Sequence, residues 1–183
     1  MKTTMTALTA AIALALANSA LAAPVANTNI TEAKVQAAQE AWGAALINIS
    51  QTFESDGMDA ARDAAESVLN QAYAFHQGPV LFKPTLTHGE TTFRTTHEGA
   101  LAYFVGGDPN FPDEGFALNN WTGFEFENAA VFINGDMALT TGNVTLTNGN
   151  GDQTTVDKTW GFRLNDDGQV RIVLHHSSLP FSG

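Results

Sequence analysis

The chain has no cysteine among its 183 residues. That excludes disulfides, thiol nucleophiles, iron–sulfur clusters and cysteine-ligated zinc, so the fold must hold by packing alone. Basic residues are also scarce: 8 Lys and Arg stand against 19 Asp and Glu, a formal net charge of -11. No basic patch exists to neutralise phosphates, which argues against nucleic acid as a partner. The acidic residues are scattered rather than blocked, the pattern of a solubilising surface. Past the N-terminus, no stretch is long and apolar enough to cross a bilayer, which takes about 20 residues.

The N-terminus itself reads as an export signal. Lys2 gives a thin positive start, Met5 to Leu16 is an apolar run rich in Ala and Leu, and Ala20-Leu21-Ala22 supplies a small-residue cleavage site. The expected organisation is a signal peptide over 1–22, a flexible lead-in over 23–30 and a single α+β domain over 31–183. The mature protein is then exported, periplasmic or secreted, with no membrane anchor after cleavage.

Thr31 can cap a helix running to about Phe53, with Val35, Ala38, Trp42, Ala45, Leu46 and Ile49 at helical spacing. Ser55-Asp56-Gly57 breaks it. A second helix is expected from Met58 to about Phe75, with Tyr73 on its apolar side. Beyond Gly78-Pro79, Val80 to Thr87 looks extended, with Pro84 pointing to an edge or irregular strand. Thr91 to Arg94 suggests another short strand, and Thr96 or Thr95 can cap a short helix carrying Tyr103. Strands then follow over Trp121–Ile133, with a bulge at Asn128-Ala129, over Met137–Thr147 and over Thr154–Leu164. Asn134-Gly135 is a hairpin turn signal. Two amphipathic helices followed by a meander give an α+β fold, with a curved antiparallel sheet packed on the N-terminal helices as an open-mouthed cone.

The last strand, Val170 to Pro180, is the most informative. Strict alternation puts Val170, Ile172, Leu174, His176 and Ser178 on one face and Arg171, Val173, His175 and Ser177 on the other. An imidazole and a hydroxyl ending an apolar wall are costly unless satisfied, which makes His176 and Ser178 candidate site residues. The plainer accounts are a satisfied core histidine and a hydroxyl bonded to the strand end. Alternation sends His175 to the outer face, towards a dimer contact or solvent. Lys158 lies between Val156 and Trp160 on an apolar face, either as a functional cation or snorkelling to a carboxylate. Arg94 is expected in a structural ion pair. Trp121 and Trp160 suit either a dimer interface or the core.

Five segments in order carry a resemblance: Phe82-Lys83-Pro84-Thr85-Leu86, Gly99 to Gly107, Phe116-Ala117-Leu118, Lys158-Thr159-Trp160-Gly161, and His175-His176-Ser177-Ser178-Leu179-Pro180. Together they resemble the iota-class carbonic anhydrases, which share the fold of the calcium/calmodulin-dependent kinase II association domain and the nuclear transport factor 2-like superfamily. The resemblance implies a dimeric cone that hydrates carbon dioxide to bicarbonate. It implies Thr85, Tyr103, His176 and Ser178 as site residues; without a metal, hydration needs a base and donors, for which His176 is the obvious base on the cone-facing side and the three hydroxyls are the substrate-binding donors.

Metal use differs among the proteins it resembles. Here neighbouring His175 and His176 should point apart on a regular strand, and no H-x-H or H-E-x-x-H spacing is present. Zinc would need His176 with distant ligands such as His88 or His97. A site without metal is therefore favoured, with zinc or manganese as the alternative. Two other functions remain open on the same scaffold. One is a non-enzymatic oligomerising or small-ligand-binding module. The other is a polyketide cyclase- or isomerase-like enzyme, which would need a carboxylate base in the cone.

Overall fold

A computed structural model describes residues 29–182; the expected signal peptide and most of the lead-in lie outside the described residues. Helix α1 (Glu32–Asp56) starts at Thr31, whose side chain accepts from the Lys34 N–H. A single residue, Gly57 at φ +85°, separates it from α2 (Met58–Ala72). A left-handed conformation suits glycine, and it folds the second helix back on the first. The buried stripe of α1 includes Val35, Trp42, Leu46 and Ile49, as the spacing predicts. Ile30, in the expected lead-in, is buried and donates its N–H to Gly135 O.

The second helix ends earlier than its apolar periodicity suggests. Tyr73 is already extended (φ -110°, ψ 155°) and bridges to Ile172 in parallel. The Ala74 N–H then bonds Ile172 O. Leaving the helix lets the Tyr73 ring enter the core beside the sheet.

The sheet has five strands: β1 (Leu81–Lys83), β2 (Trp121–Asn134), β3 (Met137–Asn148), β4 (Gln153–Leu164) and β5 (Val170–Ser178), in the order β1-β5-β4-β3-β2. Strands β2 to β5 form an antiparallel meander, while β1 pairs with β5 in parallel. The extended stretch is only three residues long because Pro84, lacking an N–H, cannot continue the ladder. The strand expected over Thr91–Arg94 does not form: Gly89–Thr91 is a 3₁₀ turn. Arg94 keeps one sheet-like bond, its N–H to Phe82 O. Helix α3 (His97–Val105) is capped by Thr96 and is buried from Gly99 to Val105.

Of the three register shifts in the sheet, at Trp121/Gly123, Asn128/Ala130 and Gly161/Phe162, the last two are bulges that bear on its shape. The first is where the sequence places it, between Asn128 and Ala130. Gly142 opposes it, and a Cβ there would lie 2.0 Å from Glu127 O, so only glycine fits. The second lies in β5: Ile172 pairs with Phe162 and Leu174 with Gly161, leaving Val173 as an extra residue. Gly161 makes room for it, since a Cβ there would stand 3.0 Å from Leu174 Cβ. One extra residue exchanges the faces of everything after it.

Candidate active site

The β5 bulge corrects the expected site. Ile172 faces the core as alternation requires, but beyond Val173 the inward residues are His175 and Ser177, both buried, while His176 is exposed and Ser178 half-buried. The sequence-based assignment of His176 and Ser178 to the cavity is therefore replaced by their neighbours. His175 does not sit on an outer face. On β4 the alternation is unbroken, so Lys158 and Trp160 face inward beside Ser177 and His175, their cross-strand partners.

These residues enclose a small cavity of about 10 Å³. Trp42, Phe82, Phe104 and Phe116 give it apolar walls, and Thr85, Tyr103, Ser177, Lys158 and His175 supply the polar groups. Thr85 and Tyr103, both expected site residues, lie in the lining of this cavity. A wider cleft of about 560 Å³ shares Tyr103 and Phe116 with it and carries His88, Arg94 and Asp113. Arg94 is held by Asp113 at 2.7 Å and lies 4.6 Å from the Phe111 ring centre, a structural pair. Trp121 and Trp160 are core residues, not interface ones.

The hydroxyls are arranged in sequence. Thr85 Oγ1 donates to Ser177 Oγ at 2.6 Å, and Lys83 Nζ donates to Ser177 O at 2.9 Å. Tyr103 Oη is buried near Thr85 and the Leu86 backbone, but no group among the described residues meets it at full hydrogen-bonding geometry. Burial pushes its pKa up to about 12, with Thr85 and the Leu86 backbone offsetting part of the rise. It therefore stays a protonated donor at the edge of the cavity.

Behind the hydroxyls runs a buried chain of four side chains. Trp42 Nε1 donates to Tyr73 Oη at 2.8 Å. Tyr73 Oη meets His175 Nδ1 at 2.8 Å, and His175 Nε2 meets Lys158 Nζ at 2.9 Å. Phe82 stacks on the imidazole at 4.6 Å, and Trp42 meets it edge-on at 5.4 Å.

The direction of this chain follows from its fixed end. An indole N–H only donates, so Tyr73 accepts from Trp42, and giving its own buried proton a partner directs that proton to Nδ1. We assign the imidazole proton to Nε2 accordingly. Nε2–H then donates to Lys158, which must offer a lone pair and so be a neutral amine. A charged Lys158 would reverse the chain and strand the Tyr73 O–H.

Electrostatics agree with this assignment. Burial brings Lys158 down to about 7 and holds His175 well below the ordinary histidine value, with Lys158 and His176 pulling the same way. Burial also raises the Tyr73 hydroxyl far above its usual range. Among the described residues no carboxylate pairs with Lys158. Its nearest charge-stabilising neighbours are the rings of Trp42, 4.7 Å away, and Trp160, 5.5 Å away.

The sequence offered Lys158 only as a functional cation or a snorkelling lysine, and Tyr73 only as a core residue of the second helix. A lysine inside an apolar alternation was the signal for the first. For the second it was Tyr73-Ala74-Phe75, which reads equally as period two. Zinc fits poorly: a catalytic site usually takes three protein ligands, and no group of three or more His, Asp or Glu that could hold a metal occurs among the described residues.

Comparison with known proteins identifies the family. The family model described as metal-independent carbonic anhydrase matches residues 33–179. A metal-independent carbonic anhydrase of Nostoc sp. is 54% identical over 166 residues, covering 90% of this chain and 81% of that one. The crystal structure of a cyanobacterial iota-carbonic anhydrase complexed with bicarbonate is also 54% identical, with a TM-score of 0.87, covering 89% of this chain and all of that one. A putative calcium/calmodulin-dependent protein kinase II association domain from Xanthomonas campestris, 23% identical over 84% of this chain and 91% of its own, matches at a TM-score of 0.50 and shows the shared fold alone. The chain belongs to the metal-independent carbonic anhydrase family.

Proposed function

We propose that the cavity hydrates carbon dioxide to bicarbonate without a metal. The observation that carries this is the convergence of Thr85, Tyr103, Ser177 and Lys158 on a small space walled by aromatic rings, next to the wider cleft. Carbon dioxide is small and apolar, and suits such walls. The product carries oxygens that need donors, and the hydroxyls and the amine N–H groups supply them. The 54% identical cyanobacterial structure, solved with bicarbonate, supports the reading. An isomerase-like enzyme would need a carboxylate base, and no Asp or Glu lines the cavity.

The imidazole is not free to act as base on water, because both ring nitrogens are engaged behind the wall. The hydroxyl pair offers another route. Thr85 donates to Ser177 Oγ, which leaves the Ser177 proton free for the cavity. A water bonded to Ser177 attacks the carbon and passes one proton to Ser177 Oγ. Ser177 passes its own proton to a carbon dioxide oxygen. One oxygen–carbon bond forms, one carbon–oxygen π bond opens, and neutral carbonic acid results. No charge separates inside the dry cavity, where charge is costly. Ionisation to bicarbonate and a proton follows at the mouth.

Stopped-flow hydration on the purified protein tests this. Activity should be well above buffer and unchanged by a strong chelator. No activity in either condition ends the enzyme reading, and activity lost only with chelator ends the metal-free one.

We also propose a homodimer formed through the sheet face opposite the cavity. Phe132, Leu139, Gly161, Leu174 and Leu81 are successive cross-strand partners and make one apolar row over all five strands. Phe132 is 65% exposed, Leu81 60% and Leu139 44%, which leaves the row open to a second copy. Leu139→Asp should turn a sedimenting dimer into a monomer. A wild-type protein that sediments as a monomer at every concentration rules the dimer out.

A further inference from the structure

We propose that Lys158 is a site of reversible carbamylation, its Nζ adding carbon dioxide to form an N-carboxylate inside the same cavity. This rests on the reading that carbon dioxide enters that space. The Nζ lone pair attacks the carbon, a nitrogen–carbon bond forms, and one carbon–oxygen π pair moves onto oxygen. One amine proton leaves to water at the cavity mouth. The balance is R–NH2 plus CO2 giving R–NH–COO⁻ plus H⁺, with no redox change.

The hydrogen-bond chain favours this fate over protonation. With the imidazole proton assigned to Nε2, Trp42, Tyr73 and His175 each donate towards Lys158, and its amine faces that N–H at 2.9 Å. An ammonium facing that N–H is opposed by it. A carboxylate on Nζ is not: the amine turns about its last carbon bond, and Nε2–H then donates to a carboxylate oxygen with no change of tautomer. The cavity supplies further donors for the new anion in Ser177, whose proton Thr85 leaves free, and in the buried Tyr103 hydroxyl. A carbamate needs an uncharged amine to form, and burial holds Lys158 near neutrality, at about 7. The two other lysines of the described domain differ in setting. Lys34 is exposed, and Lys83 is half-buried and donates to backbone carbonyls.

Carbamylation fills the space that substrate and water would share, so the modified chain is an off state. It is favoured at high carbon dioxide and relieved when the gas falls. The full chain is equilibrated with heavy-carbon bicarbonate and carbon dioxide near pH 8, trapped with a trialkyloxonium reagent and mapped by peptide mass spectrometry. We expect label on Lys158 at least about tenfold above Lys34 and Lys83, and a carbamate carbon resonance that Lys158→Arg abolishes. Should Lys158→Arg not fold, the wild-type peptide map alone decides. Label absent from Lys158, or no greater there than on Lys34, overturns the proposal. An active chain with unlabelled Lys158 overturns the carbamate and leaves hydration standing. A labelled chain that does not hydrate carbon dioxide does the reverse.

Discussion

Replacing Lys158 with methionine should lower the hydration rate by about two orders of magnitude while changing how stability depends on pH. The activity loss follows from removing N–H donors aimed at the reacting oxygens, a class of change worth roughly 10²–10³ in rate. Methionine keeps the volume, and the Trp42 and Trp160 rings keep an apolar neighbour. The stability effect has a definite sign. The Lys158 pKa falls from 10.5 in the unfolded chain to about 7 when folded. Between those values the unfolded state binds more protons, so this group makes the wild type more stable as pH rises, by up to about 1.4 kcal/mol per pH unit. Below about 7 both states are charged and the burial penalty is complete. Subtracting the variant's urea-unfolding free energy from that of the wild type should give a curve that is flat below pH 7 and climbs above it. A flat difference throughout would mean the amine is not held neutral.

The second large effect separates two adjacent histidines. His175→Ala should cost about 3–5 kcal/mol and at least a hundredfold in hydration, whereas His176→Ala should stay within about twofold of wild type. His175 fills the space between Phe82 and Trp42 and joins Tyr73 to Lys158. Without it, a buried phenol proton and a buried amine lose their partners together. His176 lies on the exposed face beyond the bulge. Thermal melts and stopped-flow rates on the two variants decide it. Equal losses from both, or a larger loss from His176→Ala, would place the wrong ring in the cavity.

Much of this architecture is legible in the sequence. Thr31, Gly57, the Asn128–Ala129 bulge and the hairpin after Asn134 are read from local chemistry, because caps, turns and period-breaking residues act at short range. Thr85 and Tyr103 were found through the family resemblance, not through pattern. What alternation missed is a single residue. Ile172-Val173-Leu174 is apolar throughout, so its own pattern cannot show which of the three is extra. The signal lay on the neighbouring strand, where Gly161 interrupts Lys158-Thr159-Trp160 and leaves room for the bulge. The polar chain was hidden for a different reason. Its members are 31, 102 and 17 positions apart, and only the folded sheet and the early exit from α2 bring them into line.

That chain ends blind. Its far terminus is an indole N–H, which can give a hydrogen bond but cannot take a proton from Tyr73 and pass it on. Gas, product and the proton released with each bicarbonate must therefore use the same doorway past Tyr103 and Phe116 into the outer cleft. Turnover then depends on how quickly dissolved buffer collects protons at that doorway, so the working speed of the enzyme is set partly by the fluid around it.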